Sequence, residues 1–214
     1  WAKSLGSFNH DFLFDMDVDR TGNIYVSGIS NGSFFSEYEG NGSNGAYEGS
    51  NTFLLKLDSK GEKSWIKKIH GAANKAFIAI NNGNNIYFGI NYSSDLISDN
   101  LTLKPLGASD FILEELNPSG EVVWQKKYSS KSDDILSSLS IARNDQLLIS
   151  GKYANVSELK LKSSLDSIID NNTYYSKMNA DGSLSWSIRN SGPSYLDGTS
   201  IIELPSGVYY STDV

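Results

Sequence analysis

Residues 117–127 read NPSGEVVWQKK, and variants of the same stretch stand at 58–68 (DSKGEKSWIKK) and 179–189 (NADGSLSWSIR). Each copy opens on Asp or Asn, reaches Gly three residues later and places Trp four residues beyond that Gly. An Asx side chain can hydrogen-bond its own backbone, and Gly accepts the positive φ that closes a hairpin. The motif therefore reads as a tight turn followed by a strand that carries the Trp. All four tryptophans, Trp1, Trp65, Trp124 and Trp186, occupy this place, at spacings of 64, 59 and 62 residues. A period of that size marks a supersecondary unit repeated along the chain, each copy burying its apolar face against its neighbours.

The rest of the unit follows from the same alignment. A first strand is predicted at 12–19 (FLFDMDVD), 75–82, 134–142 and 198–204. A second follows a tight Gly- or Asn-rich turn at 23–28 (NIYVSG), 85–90 (NIYFGI), 146–151 and 208–212, and a third lies at 52–58, 110–117 and 173–179. The fourth strand carries the Trp. Short alternating runs broken by Gly and Asn argue for strands over helices. The stretch that comes nearest to helical periodicity, SELKLKSSLDSIID at 157–170, is assigned to a loop.

Four antiparallel strands in a unit of about 60 residues predict a β-propeller blade, longer than a WD40 or kelch repeat. The units resemble the bacterial β-propeller repeat called SBBP. Its pattern is roughly a D-x-x-G-N-x-Y-x-x-G hairpin and then a D-x-F-x-x-K-x-D-x-x-G hairpin ending in W. Asp19, Gly22, Asn23, Tyr25 and Gly28 match the first half, and Phe53, Lys56, Asp58, Gly61 and Trp65 the second. Asn85, Tyr87, Asp110, Phe111, Gly120 and Trp124 match again in the next unit. The third unit departs with Gln146 in place of the Asn, and the last makes its turn with Pro205-Ser206-Gly207. The resemblance implies a secreted or surface-exposed bacterial protein with a binding, adhesive or structural role. Its motifs are structural and carry no catalytic assignment.

The expected fold is thus all-β, a β-propeller of four-stranded antiparallel blades forming an incomplete ring or part of a larger propeller. Residues 1–214 read as one propeller segment: 1–6 as the fourth strand of a preceding blade, then blades at 7–70, 71–129 and 130–191, and at 192–214 the first two strands of a further blade. The terminal pieces lack a third strand between them. The missing blades are expected from flanking sequence in preference to another copy of the chain.

Composition narrows the function. The 214 residues carry 18 Lys and Arg against 25 Asp and Glu, a formal charge of −7, with the basic residues scattered. Duplex nucleic acid and anionic membrane both demand a basic face, so neither is an expected partner. No apolar run approaches the roughly 18 residues that span a bilayer. The absence of Cys removes disulfides, thiolate metal sites and Cys nucleophiles from consideration.

Function is expected in the long connections between second and third strands, roughly 29–51, 91–109 and 152–172, because variable loops on a rigid scaffold are the usual place for recognition. In the first of these, Phe34, Phe35, Tyr38 and Tyr47 stand among Gly and Ser, a mixture suited to an adaptable binding surface. Packing of Phe34 and Phe35 against the blade edge is the competing reading. Six N-x-S/T triplets, at Asn31, Asn41, Asn91, Asn100, Asn155 and Asn171, fall in the same connections, where composition alone gives about four.

Asp15, Asp17 and Asp19 have the alternating spacing of a calcium loop, with Asn23 at its ninth position. Arg20 replaces the sharp-turn Gly and Val26 the bidentate Glu, so no metal is expected there. The preferred reading is that Asp19 caps a turn while Asp15 and Asp17 lie on a strand. His10 and His70 follow fourth strands, near Asp11 and Lys75 in sequence, without a nucleophile motif, and no catalytic residue or cofactor is expected. The primary expectation is an extracellular or cell-surface propeller module contacting protein or glycan through its long loops. The alternatives are a lyase or hydrolase with its site in a central funnel, and an architectural segment of a surface filament.

Overall fold

The computed structural model describes residues 1–2, 6, 10–31, 50–98, 101–152, 173–190, 199–207 and 209–213. Within them every regular element is a β-strand, and no helix is long and apolar enough to cross a membrane. The first unit supplies β1 (Phe12–Val18), β2 (Ile24–Asn31), β3 (Ser50–Leu57) and β4 (Lys63–His70). The second begins with β5 (Lys75–Ile80) and β6 (Ile86–Tyr92), passes through a hairpin of β7 (Leu96–Ser98) and β8 (Leu101–Leu103), and ends with β9 (Asp110–Leu116) and β10 (Val122–Tyr128). The third holds β11 (Ile135–Ile141), β12 (Leu147–Lys152), β13 (Thr173–Met178) and β14 (Leu184–Asn190), and β15 (Thr199–Glu203) pairs with β16 (Tyr209–Asp213).

Each unit is an antiparallel meander, in the orders β1-β2-β3-β4, β5-β6-β9-β10 and β11-β12-β13-β14. The turns have the chemistry their sequences predict. Asp58 Oδ1 accepts the amides of Lys60 (2.9 Å) and Glu62 (2.8 Å), and Asn117 Oδ1 accepts those of Ser119 and Glu121 (both 3.0 Å).

Three expectations change. The first sheet has six strands, because β7 pairs with β4 through Ile97 and His70, which places the β7–β8 hairpin at the sheet edge. Its buried Leu96 and Leu103 give the connection at 91–109 an apolar anchor that the Ser- and Asn-rich sequence around them obscured. Residues 1, 2 and 6, expected in a strand, lie outside the strands. The 157–170 stretch falls outside the described residues.

Consecutive sheets pack face to face. Tyr25, Leu54 and Ile69 of the first share a core with Ile78, Phe88, Ile90 and Ile112 of the second. Tyr87, Phe111 and Leu113 on the opposite face of the second meet Leu136, Leu147 and Ile149 of the third. The first strands touch one another in chain order, β1 on β5, β5 on β11 and β11 on β15.

The repeated Trp is what ties one sheet to the next. Trp65 Nε1 donates to Pro118 O (3.0 Å), Trp124 Nε1 to Ala180 O (2.9 Å) and Trp1 Nε1 to Ser59 O (3.3 Å), in each case into the hairpin turn of the following sheet. The ring lies over the turn glycine: a Cβ on Gly120 would stand 3.2 Å from the Trp65 ring, at a φ of 85°. In all three sheets the strand register slips by one residue just before the Trp, between Val122 and Trp124 for example. A bulge of this kind bends the strand and re-aims the side chain that follows. Lys56 joins the same staple, its ammonium donating to Pro118 O (3.0 Å) and lying over the Tyr25 ring.

Candidate functional site

The tight turns and Trp staples gather one end of each of the first three sheets, which leaves the long connections at the other end. Phe34, Phe35, Tyr38 and Tyr47, the candidate binding residues, lie outside the described residues, as do Asn41, Asn100, Asn155 and Asn171. The base from which the first connection springs is described. Asn31 N donates to Asp11 Oδ1 (3.1 Å), the Asn31 amide donates to His10 O, and Ser50 Oγ donates to Asn31 Oδ1. Gly71 N donates to Ser50 O (2.9 Å) and Thr52 N to Gly71 O (3.0 Å). Both strands that carry the connection are therefore clamped by the segments on either side of it in the sheet. At φ 107°, with Asp95 O only 2.6 Å from where a Cβ would stand, position 71 admits only Gly.

His70 faces Asn51, with Nδ1 and Oδ1 2.9 Å apart, and neither Asp11 nor Lys75 is its partner. Lys75 lies over the Phe77 ring. Among the described residues no group of three or more His, Asp or Glu is placed to hold a metal ion.

The three aspartates of the calcium-like stretch are occupied by the chain itself. Asp15 takes Met16 N on Oδ1 and Ile78 N on Oδ2 (both 2.8 Å), and Asp17 takes Val18 N (2.8 Å) and Ile80 N (3.0 Å) in the same way. Two carboxylates on β1 thus satisfy edge amides of β5 in the next sheet, a use that strand spacing predicts only if the neighbouring sheet is known. Asp19 is buried and accepts from Thr21 N, Thr21 Oγ1, Asn23 N, Asn23 Nδ2 and Tyr25 Oη. Burial works to raise its pKa, and the hydrogen bonds of Asn23 and Thr21 outweigh it and bring the value to about 2.

Beside the base of the first connection, the β7–β8 hairpin presents exposed Ile97 and Leu101, and Leu106 stands out farther along the 91–109 connection. Charged groups border them: Lys104 pairs with Asp95 (3.7 Å), and Lys127 Nζ donates to Lys104 O (2.6 Å). Behind this surface Asp110 is fully buried, with Leu106 N donating to its Oδ2 (2.8 Å). Burial raises the Asp110 pKa against those hydrogen bonds and the Lys127 charge, and burial followed by the Asp110 charge raises that of Tyr92. The hairpin is a functional candidate that the sequence reading missed. Its signal was the pair of short alternating runs LIS and LTL within a connection read as loop.

The asparagines of two of the six glycosylation triplets are described. Asn91 does not sit in a loop: it closes β6, 4% exposed, donating to Leu136 O (2.8 Å) and accepting Leu136 N (2.9 Å). Its carboxamide imitates a peptide group bridging the second sheet to the third, which leaves no place for a glycan in the folded protein. Asn31 is held by His10 and Ser50 as above.

No family model matches the sequence, and no curated protein matches it. Among solved structures the chain is similar to a protein of unknown function from Bacteroides caccae, with 12% sequence identity and a TM-score of 0.43. The similarity covers 93% of this chain and 52% of the other, so the chain spans about half the length of that protein.

Proposed function

We propose that this chain is a propeller-type segment of an extracellular or cell-surface protein, a scaffold that binds protein or glycan through the long connections between the second and third strands of its sheets. The observation that carries the proposal is the placement of those connections. They leave β2 at Asn31, β6 at Tyr92 and β12 at Lys152, all at the sheet ends opposite the Trp-stapled turns. Stacked sheets with their first strands in sequential contact bring these ends side by side. Recognition residues then belong to loops of variable length on a rigid frame. In this reading Tyr38 and Tyr47 supply aromatic contact area, Phe34 and Phe35 anchor or extend it, and the Ile97–Leu101 hairpin forms the adjoining wall. The role is one of binding, because His70 meets a carboxamide and the aspartates of β1 cap amides.

The test replaces residues 32–49 by a short Gly-Ser linker and compares both proteins on immobilised glycans and on bacterial and host surface proteins. Loss of a specific interaction, with an unchanged circular dichroism spectrum, supports the reading. Equal binding by both proteins overturns it.

A further inference from the structure

At one corner of the joint between the second and third sheets, buried oxygens outnumber the donors that reach them. Tyr87 Oη, Glu115 Oε2 and Asn84 Oδ1 are buried there with no hydrogen-bond partner. Tyr87 is fully buried and Glu115 is 3% exposed. The two are cross-strand partners on β6 and β9, so their side chains leave the same face of the sheet. That face meets the third sheet, since Tyr87 packs with Leu136, Leu147 and Ile149. Asn85, next to Asn84 in the β5–β6 turn, donates from Nδ2 to Glu115 Oε1 (2.6 Å), which fixes the carboxylate and leaves its other oxygen open. Asp145 of the third sheet closes the corner, its Oδ1 accepting Asn82 N (3.1 Å). Burial first, and then the charges of Glu115 and Asp145 against a lowering contribution from nearby Asn81, push the Tyr87 pKa up to about 12. The phenol therefore stays neutral.

The same register position in the neighbouring sheets carries a lysine. Lys56 pairs with Tyr25 on the first sheet and Lys177 with Leu148 on the third, as Glu115 pairs with Tyr87. Each lysine sends its ammonium across to the next sheet. Lys56 Nζ donates to Pro118 O (3.0 Å) and lies 5.2 Å from the centre of the Tyr25 ring, and Lys177 Nζ stands 3.7 Å from Glu203 Oε1. A cation thus belongs to this position at the joints before and after. At the middle joint the position is a carboxylate, and the surroundings of the tyrosine change with it. Tyr25 Oη donates to Asp19 Oδ2 (3.1 Å), whereas Asn81 holds the corresponding place in the β5–β6 turn and Tyr87 Oη closes no hydrogen bond. Lys126 does not compensate Glu115, because its ammonium donates to Gly182 O and lies over the Trp124 ring. A carboxylate taken out of water needs an opposite charge or a full set of donors. Among the described residues Glu115 receives one donor, the neutral amide of Asn85.

We propose that a monovalent cation, sodium or potassium, binds at this corner on Glu115 Oε2 and Tyr87 Oη, with Asn84 Oδ1 in the adjoining turn, where the other two joints place a lysine ammonium. The charge of the ion follows from its ligands. Glu115 offers one carboxylate oxygen, Tyr87 and Asn84 offer neutral ones, and the nearer oxygen demand of Asp145 is met in part by Asn82 N. A single positive charge balances this set, as a single ammonium does at the first and third sheets. The ion ties the second sheet to the third at the end where the tight turns lie.

Urea titrations in sodium chloride or potassium chloride test the proposal, with tetramethylammonium chloride, whose cation is too bulky to enter, holding the ionic strength constant. The wild-type chain is compared with Glu115→Lys and Glu115→Gln. For the wild type, each tenfold rise in sodium or potassium above the Kd is expected to raise the folding equilibrium constant by about tenfold. Glu115→Lys brings its own ammonium and is expected to lose this dependence and to be more stable than the wild type in tetramethylammonium chloride. Glu115→Gln removes the charge with little change of shape and is expected to lose the dependence as well, which decides the matter if the lysine variant fails to fold. Wild-type stability that is the same in all three salts would overturn the proposal. So would a dependence that Glu115→Gln retains in full, or one that calcium produces and sodium and potassium do not.

Discussion

Replacing Gly120 by Ala probes the joint on which the stacking of the first two sheets depends. Two costs combine at this position. The left-handed backbone, φ 85°, costs an alanine about 1–2 kcal/mol, and the lower entropy of the unfolded alanine chain returns about 0.4–1 kcal/mol of this. The second cost is local to the staple: the new Cβ would lie 3.2 Å from Cδ2 and Cε2 of Trp65, so the ring must yield. Its shift strains the bond from Nε1 to Pro118 O, a contribution of about 1 kcal/mol, and the edge-on contact with Tyr25, worth about 0.5–1.5 kcal/mol. The sum is about 2–3 kcal/mol. Gly207 supplies the control, with φ 76° and no atom within 4 Å of where an added methyl would stand, so its alanine variant should lose only about 1 kcal/mol. Urea titrations of both variants, followed by far-ultraviolet circular dichroism and Trp fluorescence, measure the difference. Equal losses for the two would show that the ring over Gly120 adds nothing and would refute the staple as the sheet-to-sheet joint.

Truncation of Trp65 to Ala should cost about 3 kcal/mol, at the lower end of the range for large aromatic residues because the ring is only half-buried, and denaturant unfolding measures it. Asp19, with a folded pKa near 2 and an ordinary value of 3.8, contributes stability that is complete above pH 4 and is lost as the pH falls through 2. Asp19→Asn should be less stable at neutral pH and should show a smaller acid-induced loss than the wild type, whereas parallel pH profiles would refute the assignment. Asp17 titrates with the opposite sign, since burial raises its pKa, and is common to both proteins. Chelator should leave the melting temperature unchanged, because Asp15 and Asp17 are engaged by the amides of Ile78 and Ile80, and a fall of more than a few degrees would count against this. Asn91→Ala should destabilise the protein by about 2 kcal/mol in a urea titration, as it strips both backbone groups of buried Leu136 of their partner.

Much of the local structure was legible in the residues themselves. The Asx-x-x-Gly turns and the alternating runs around them locate strand ends within a residue or two, apart from β2, which runs three residues past its expected end to Asn31, because a turn is decided by side chains two to four positions apart. The period of the tryptophans likewise reveals a repeated unit. Other features depend on groups about sixty residues distant and only tertiary structure decides them. Asp15 and Asp17 look like metal ligands along the chain and become caps for β5 once the second sheet lies beside the first. Asn91 belongs to a glycosylation triplet in sequence and is a buried bridge to Leu136 in the fold. The runs at 96–98 and 101–103 are too short to announce strands, and they become strands because they pair with each other and the edge of β4 takes the first of them at Ile97. Trp65 itself marks the repeat from sequence alone, yet the carbonyl it binds, that of Pro118, is chosen by the bulge before it and by the sheet packed against it.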